Sequence, residues 1–284
     1  MTASGEPTLV RRSLAATWPS PVAPFRVLRD HRELVGRLAW QRIVVRYRGS
    51  LLGASWSVLS PLFTLAIFTL VFGVMFGSRW SDEPDTLQYS LLLFLGLCVF
   101  WYVSECLSEA ATLLADHASY VKKVVFPLEA LPWVVSVTAL FHLGIRLAIF
   151  IVAWTLLQGL PPWTVFWLPI VLVPLVLATL GLVFVIACAG ALMRDLREGM
   201  ALLLTALMFL SPILYPLDVV PEAYRPWMML NPLTVNVEMV RGVAAFGEAP
   251  SPAAFVFAAI VAWALAWIGM AVFARLRGVF ADVV

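Results

Sequence analysis

Six stretches of this chain are apolar and long enough to cross a bilayer, and the positive charges between them fall almost entirely on one side. They run from about Ser55 to Phe76, Tyr89 to Leu113, Pro132 to Leu157, Trp163 to Leu192, Met200 to Leu214 and Ala253 to Ala274. At ~1.5 Å rise per residue, about 20 residues cross the ~30 Å hydrocarbon layer. The first, second, third and sixth stretches meet that length. The fourth is longer, and Pro169 and Pro174 predict a kink or tilt. The fifth meets Pro212 and Pro216 within one hydrophobic run. Proline removes a donor and clashes with the preceding turn, so a helix is expected to break there. Composition leaves no room for a soluble core: 62% of residues are hydrophobic and 13% charged, against roughly a quarter charged in soluble domains. The expected fold class is an all-α polytopic membrane protein with six transmembrane helices. An interfacial amphipathic helix precedes them, and re-entrant external helices lie between spans five and six.

Charge orients this bundle. Arg11, Arg12, Arg26, Arg29, Arg32, Arg37, Arg42, Arg46 and Arg48 precede the first span. Lys122 and Lys123 lie between spans two and three, Arg194 and Arg197 between four and five, and Arg275 and Arg277 after the sixth. Only Arg79, Arg225 and Arg241 fall on the other side, with Arg146 inside a span. Lys and Arg accumulate on the cytoplasmic side, which puts both termini in the cytoplasm of a multi-pass inner-membrane protein. Residues 1–24 read as a flexible cytoplasmic tail and 25–50 as the interfacial helix. Residues 51–277 form the six-span domain, and 278–284 a cytoplasmic C-terminus. An Arg-rich segment follows Met1 without a short apolar core and cleavage site, so no signal peptide is expected.

Three polar segments stand out. In residues 25–53, Leu34, Val35, Leu38, Ala39 and Val45 share one helical side, with Glu33, Arg37, Gln41 and Arg48 opposite. Arg42 and Arg46 border the apolar side, where their stems are expected to snorkel. The second segment, at about 118–126, carries Tyr120, Val121, Lys122, Lys123 and Phe126 in the largest cytoplasmic loop. Phe126 precedes Pro127 and should be extended, leaving a short helix with apolar knobs suited to a partner's groove, or an ordinary loop. The third, at about 211–245, is too apolar for a simple loop and too rich in proline to span. Broken backbone at membrane depth is tolerated where protein or a wet cavity surrounds it. Within the spans, Glu105 and Glu109 share a helical face, as do His142 and Arg146. Opposite span directions put Glu105 near the depth of His142, with Arg146 in reach to neutralise it. Trp101 and Tyr102 lie a turn outward, placed to stack on a sugar or simply to pack.

No phosphate loop, H-E-x-x-H, C-x-x-C or G-x-S-x-G pattern occurs, and His31, His117 and His142 show no ligand spacing. Cys98, Cys106 and Cys188 fall in spans, so neither a disulfide framework nor a metal site is expected.

The segments "RYRGSLLG", "WSVLSPL", "YVKKVVFPLEALP", "SPILYPLDVVPEAYRPWMMLNPLT" and "VEMVRG", in that order, resemble the membrane subunit of polysaccharide ABC exporters of the O-antigen, capsule or teichoic-acid type. The resemblance covers about residues 26–277. It implies a second copy of the chain, forming a channel with it, and two separate ATP-binding subunits. ATP and Mg then reside in those partners, with no cofactor in this chain. The cargo it implies is a polyprenyl-diphosphate-linked polysaccharide moving through membrane lipid; no nucleic acid is involved. It further implies that residues 29–48 form a gate helix with Arg42, Arg46, Tyr47 and Arg48 near the lipid headgroup. Residues 118–125 become the coupling helix, and Tyr215, Glu222, Asn231, Glu238 and Arg241 belong to the external re-entrant segment. Beside this stand a drug or peptide exporter of the same fold and a membrane glycosyl- or phosphotransferase. For the latter, Asp116 and Glu109 are available without a D-x-D pattern. A proton-driven transporter using Glu105 would lack the internal repeat such proteins often show.

Overall fold

The computed structural model describes residues 19–48, 52–75, 86–121, 126–193 and 195–283. Among these, every regular element is helical. Four helical segments are long and apolar enough to cross a membrane: Leu87–Ala110, Ala130–Leu157, Trp163–Leu192 and Pro252–Phe280. They correspond to the second, third, fourth and sixth stretches read from the sequence. In chain order, α1 is Ala23–Asp30, α2 Arg32–Tyr47 and α3 Trp56–Phe68, which continues as π-helical turns over Thr69–Met75. Then come α4 (Thr86–Ala110), the short α5 (Leu113–Asp116) and α6 (Ala118–Val121), and α7 (Ala130–Leu157). A 3₁₀ turn, Trp163–Trp167, leads into α8 (Leu168–Leu192). The chain ends with α9 (Leu196–Phe209), α10 (Arg225–Met229), α11 (Pro232–Arg241) and α12 (Pro252–Val283).

The first stretch is helical over residues 56–75, but only Trp56–Phe68 is α-helical, and the fifth ends sooner than the sequence suggests. In the fifth, α9 is a 14-residue helix that ends at Phe209, and a turn carries the chain into Ser211 and Pro212. This is the proline break, since residue 212 cannot donate to the ladder. In the fourth, Pro169 sits in the first turn of α8, where its missing donor costs nothing, while Pro174 lies within the helix. The interfacial segment, expected as one helix, is two, meeting at His31.

α4 is the most enclosed long helix and packs on α3, α7, α8, α9 and α11; α12 is the least enclosed and lies along α8. Small residues explain the last pairing. A Cβ at Gly181 would strike the Leu265 carbonyl, and one at Gly269 the carbonyl of Gly181. Ala178, Ala262 and Ala266 continue the seam. Within lipid, such close backbone approach supplies the packing that a hydrophobic driving force cannot.

α1 and the residues before it are tied to the bundle by tryptophan. Trp133 Nε1 donates to the Pro24 carbonyl at 3.0 Å, Trp263 to Pro21 at 3.2 Å and Trp267 to Pro19 at 2.8 Å. Residues 1–18, the rest of the tail read from the sequence, lie outside the described residues.

Candidate functional site

α2 and α4 run antiparallel, and each presents charge at four-residue spacing. Arg42 Nη1 donates to Glu109 Oε2 at 2.8 Å, and Arg46 Nη1 to Glu105 Oε1 at 2.5 Å. Two rungs thus join α2 to α4. Val35, Ala39 and Ile43, on the same side of α2, are buried, whereas Trp40, Val44 and Val45 are exposed. The two arginines are not snorkelling, as the pattern suggested: they reach inward to acids. That inward charge is why the apolar stripe of α2 looked imperfect.

Glu105 is the hub. Besides Arg46 it accepts from His142 Nδ1 at 2.6 Å and from Arg146 Nη2 at 3.4 Å, both on α7. The Arg146 guanidinium also lies 5.4 Å from the Trp101 ring centroid, in cation–π range. One carboxylate therefore gathers three basic side chains, and only a tenth of its side-chain surface is exposed.

Two cavities with charged residues in their linings flank this cluster and share Arg46, Trp101 and Arg146 in their walls. One, of about 740 Å³, opens between α2, α4 and α7 and includes Arg42, Glu109 and Tyr120. The other, of about 460 Å³, lies toward α3, where Ser57, Ser60 and Thr64 supply hydroxyls. Arg46 and its partners form the partition between them.

Tyr120 connects the first cavity to the loop before α7. Its ring stacks on Phe126 at 4.6 Å and on His117 at 5.8 Å. Arg277 of α12 holds the same loop, donating to the Phe126 carbonyl at 3.1 Å and pairing with Glu129 at 3.0 Å. Burial, with the Arg42 charge nearby, pushes the His117 pKa below its usual value; a hydrogen bond to the Leu113 carbonyl opposes this. At neutral pH the stack therefore contains an uncharged imidazole.

The residues expected to be external are brought together only in part. Arg241 is buried and donates to the carbonyls of Leu92, Pro212 and Ile213 while pairing with Glu238 at 3.1 Å. Asn231 caps α11 through the Leu233 amide and bonds Ser211 at 2.8 Å. Tyr215 donates to the Phe209 carbonyl, and Glu222 is exposed. Tyr102 is buried against Ser136 of α7 and borders neither cavity. Arg48 is exposed at the end of α2. Lys122 and Lys123, and the side chains of Tyr47 and Val121, lie outside the described residues. Sequence reading missed the Arg–Glu rungs, although the matched spacing of 42/46 and 105/109 was the available signal.

The family described as ABC-2 type transporter matches residues 33–245. An O-antigen export system permease protein, RfbA, of Myxococcus xanthus is 28% identical over 259 residues, covering 90% of this chain and 97% of the relative. A protein of the same description from Klebsiella pneumoniae is 26% identical over 243 residues, covering 84% of this chain and 90% of the relative. The polysialic acid transport protein KpsM of Escherichia coli is 21% identical over 217 residues, covering 73% and 79%.

Proposed function

The chain belongs to the ABC-2 type transporter family, and from that premise we propose that it is the permease subunit of a polysaccharide exporter. Two copies form the channel, and two separate subunits bind and hydrolyse ATP. The chain itself makes or breaks no bond in the glycan. Relatives named for O-antigen and polysialic acid transport, matched along most of their length, support that cargo class. α3 with the turns after it, and α9 with the residues following it, supply the first and fifth of six crossings. Residues 211–245 form the external re-entrant segment, and both termini are cytoplasmic, as the asymmetry of Lys and Arg supports.

One observation carries the mechanism: a cavity lined by Arg42, Arg46 and Arg146 where the interfacial helix meets the bundle. A lipid-linked glycan brings a diphosphate to that depth. Guanidinium groups bind such oxyanions through two parallel N–H donors. Glu105 and Glu109 keep the arginines paired, so no bare cation faces lipid. An arriving diphosphate offers more acceptor oxygens than one carboxylate and takes over Arg46. Movement of Arg46 joins the two cavities into one path. The loop at Phe126 docks on the ATPase, and Tyr120 relays its displacement to the cavity wall.

The test is export in cells lacking the chromosomal copy. With Arg42→Gln and Arg46→Gln together, surface glycan should fall at least about 10-fold, the scale of losing charge-assisted hydrogen bonds. The double variant should still co-purify with the ATPase, whereas Phe126→Asp should not. Undiminished surface glycan from an assembled double variant would remove the arginines from the mechanism.

A further inference from the structure

We propose that the chain holds an anionic phospholipid, its acyl chain in a groove between α7 and α8 and its phosphate at the arginines of α1. The inference uses the orientation proposed above only to name the leaflet, which is the cytoplasmic one.

The groove has a volume of about 900 Å³ and walls almost wholly of carbon. It follows α7 from Trp133 to Ile151, which is ~27 Å at ~1.5 Å per residue and close to the ~30 Å hydrocarbon layer. Its floor is hollow because α7 carries Gly144 and Ala148 there, one turn apart. A Cβ at Gly144 would have nothing within 4 Å. Its length and carbon lining suit an extended acyl chain.

Charge selects the headgroup. At one end of the groove, α1 turns Phe25 and Leu28 into the slot. Arg26 and Arg29, on the same helix, are exposed. Arg29 also lines a hollow of about 380 Å³ at the α1–α2 elbow, with Asp30, His31, Arg32, Glu33 and Arg37. Among the described residues, Arg26, Arg29 and Arg32 lie in no ion pair, while Arg37 faces Glu33 at 3.8 Å. An apolar slot ending beneath arginines that outnumber the carboxylates beside them matches a molecule with an acyl chain and a phosphate. The tryptophan bonds to Pro19, Pro21 and Pro24 hold α1 in that place.

The experiment purifies the full complex in nanodiscs of phosphatidylcholine with a minor fraction of phosphatidylglycerol, then measures retained lipid by native mass spectrometry. The wild type should retain phosphatidylglycerol in preference to phosphatidylcholine. Arg26→Gln with Arg29→Gln should reduce that preference by roughly 5-fold for each arginine lost. Gly144→Leu points into open space, so it should leave assembly intact while abolishing retention of either lipid. Unchanged retention in Gly144→Leu, or unchanged preference in the arginine variant, would overturn the proposal. So would a polyprenyl phosphate that displaces phosphatidylglycerol from the wild type, which would give the groove to the glycan carrier. A changed oligomeric state in Gly144→Leu would give it to a protein contact. Glycan export is a separate readout, so failure of the transport reading leaves these outcomes interpretable.

Discussion

Arg241 shows how much of this structure depends on single polar contacts made away from water. It is 1% exposed, and its guanidinium serves three backbone carbonyls on two separate segments. Two of them, of Pro212 and Ile213, lie just past the end of α9, where the broken helix leaves acceptors without their usual donors. Gly96 of α4 makes room: a Cβ there would fall 2.6 Å from Arg241 Nη2. Replacing Arg241 with Leu strips the Pro212 and Ile213 carbonyls of this donor at once, each loss costing about 1–3 kcal/mol, while the Leu92 carbonyl stays within the α4 ladder. Arg241→Leu and Gly96→Val should both abolish monodisperse complex after detergent extraction, as seen by size exclusion. Arg241→Lys, with a flexible ammonium in place of the planar fork, should fall between. A monodisperse Arg241→Leu complex as heat-resistant as the wild type would show that the clamp contributes little. The sequence marked Arg241 by its position in a recognisable segment. Its partners were not legible, because residues 92, 212 and 241 meet only through the tertiary fold.

Among elements, apolar length read well and polar detail read poorly, for a physical reason. A span must satisfy its backbone internally, so hydropathy over ~20 residues carries the signal, and four helices stand where four such stretches were read. α2 misled because amphipathicity assumes that charge faces water, and Arg42 and Arg46 instead face Glu109 and Glu105. The prolines before and at the start of α1 misled differently. Composition reads Pro19, Pro21 and Pro24 as loose chain, yet a carbonyl needs no local partner when an indole N–H can reach it. Trp263 and Trp267, one turn apart on α12 and stacked at 6.5 Å, act as a pair of such donors. Changing Trp133, Trp263 and Trp267 to Phe keeps the rings and removes three hydrogen bonds, worth about 0.5–1.5 kcal/mol each. Limited proteolysis of the assembled complex should then cut near residues 19–24 several-fold faster than in the wild type. An unchanged cutting rate would mean that ring packing alone secures the segment.

At the scale of the whole molecule, orientation is the claim most open to a direct check. Cys98, Cys106 and Cys188 are buried, so an introduced thiol reports its own location. In intact spheroplasts, Glu222→Cys should react with a membrane-impermeant maleimide, and Ser119→Cys only after permeabilisation. The opposite pattern would invert the molecule and place the charged cavities at the outer leaflet. The touching main chains of α8 and α12 bear on motion as well. Helices this close at Gly181 and Gly269 leave no room for a Cβ between them, so that side of the subunit is its tightest packing. On the proposed function, motion during turnover would fall instead on the ionic seam of α2 and α4, whose contacts water can replace.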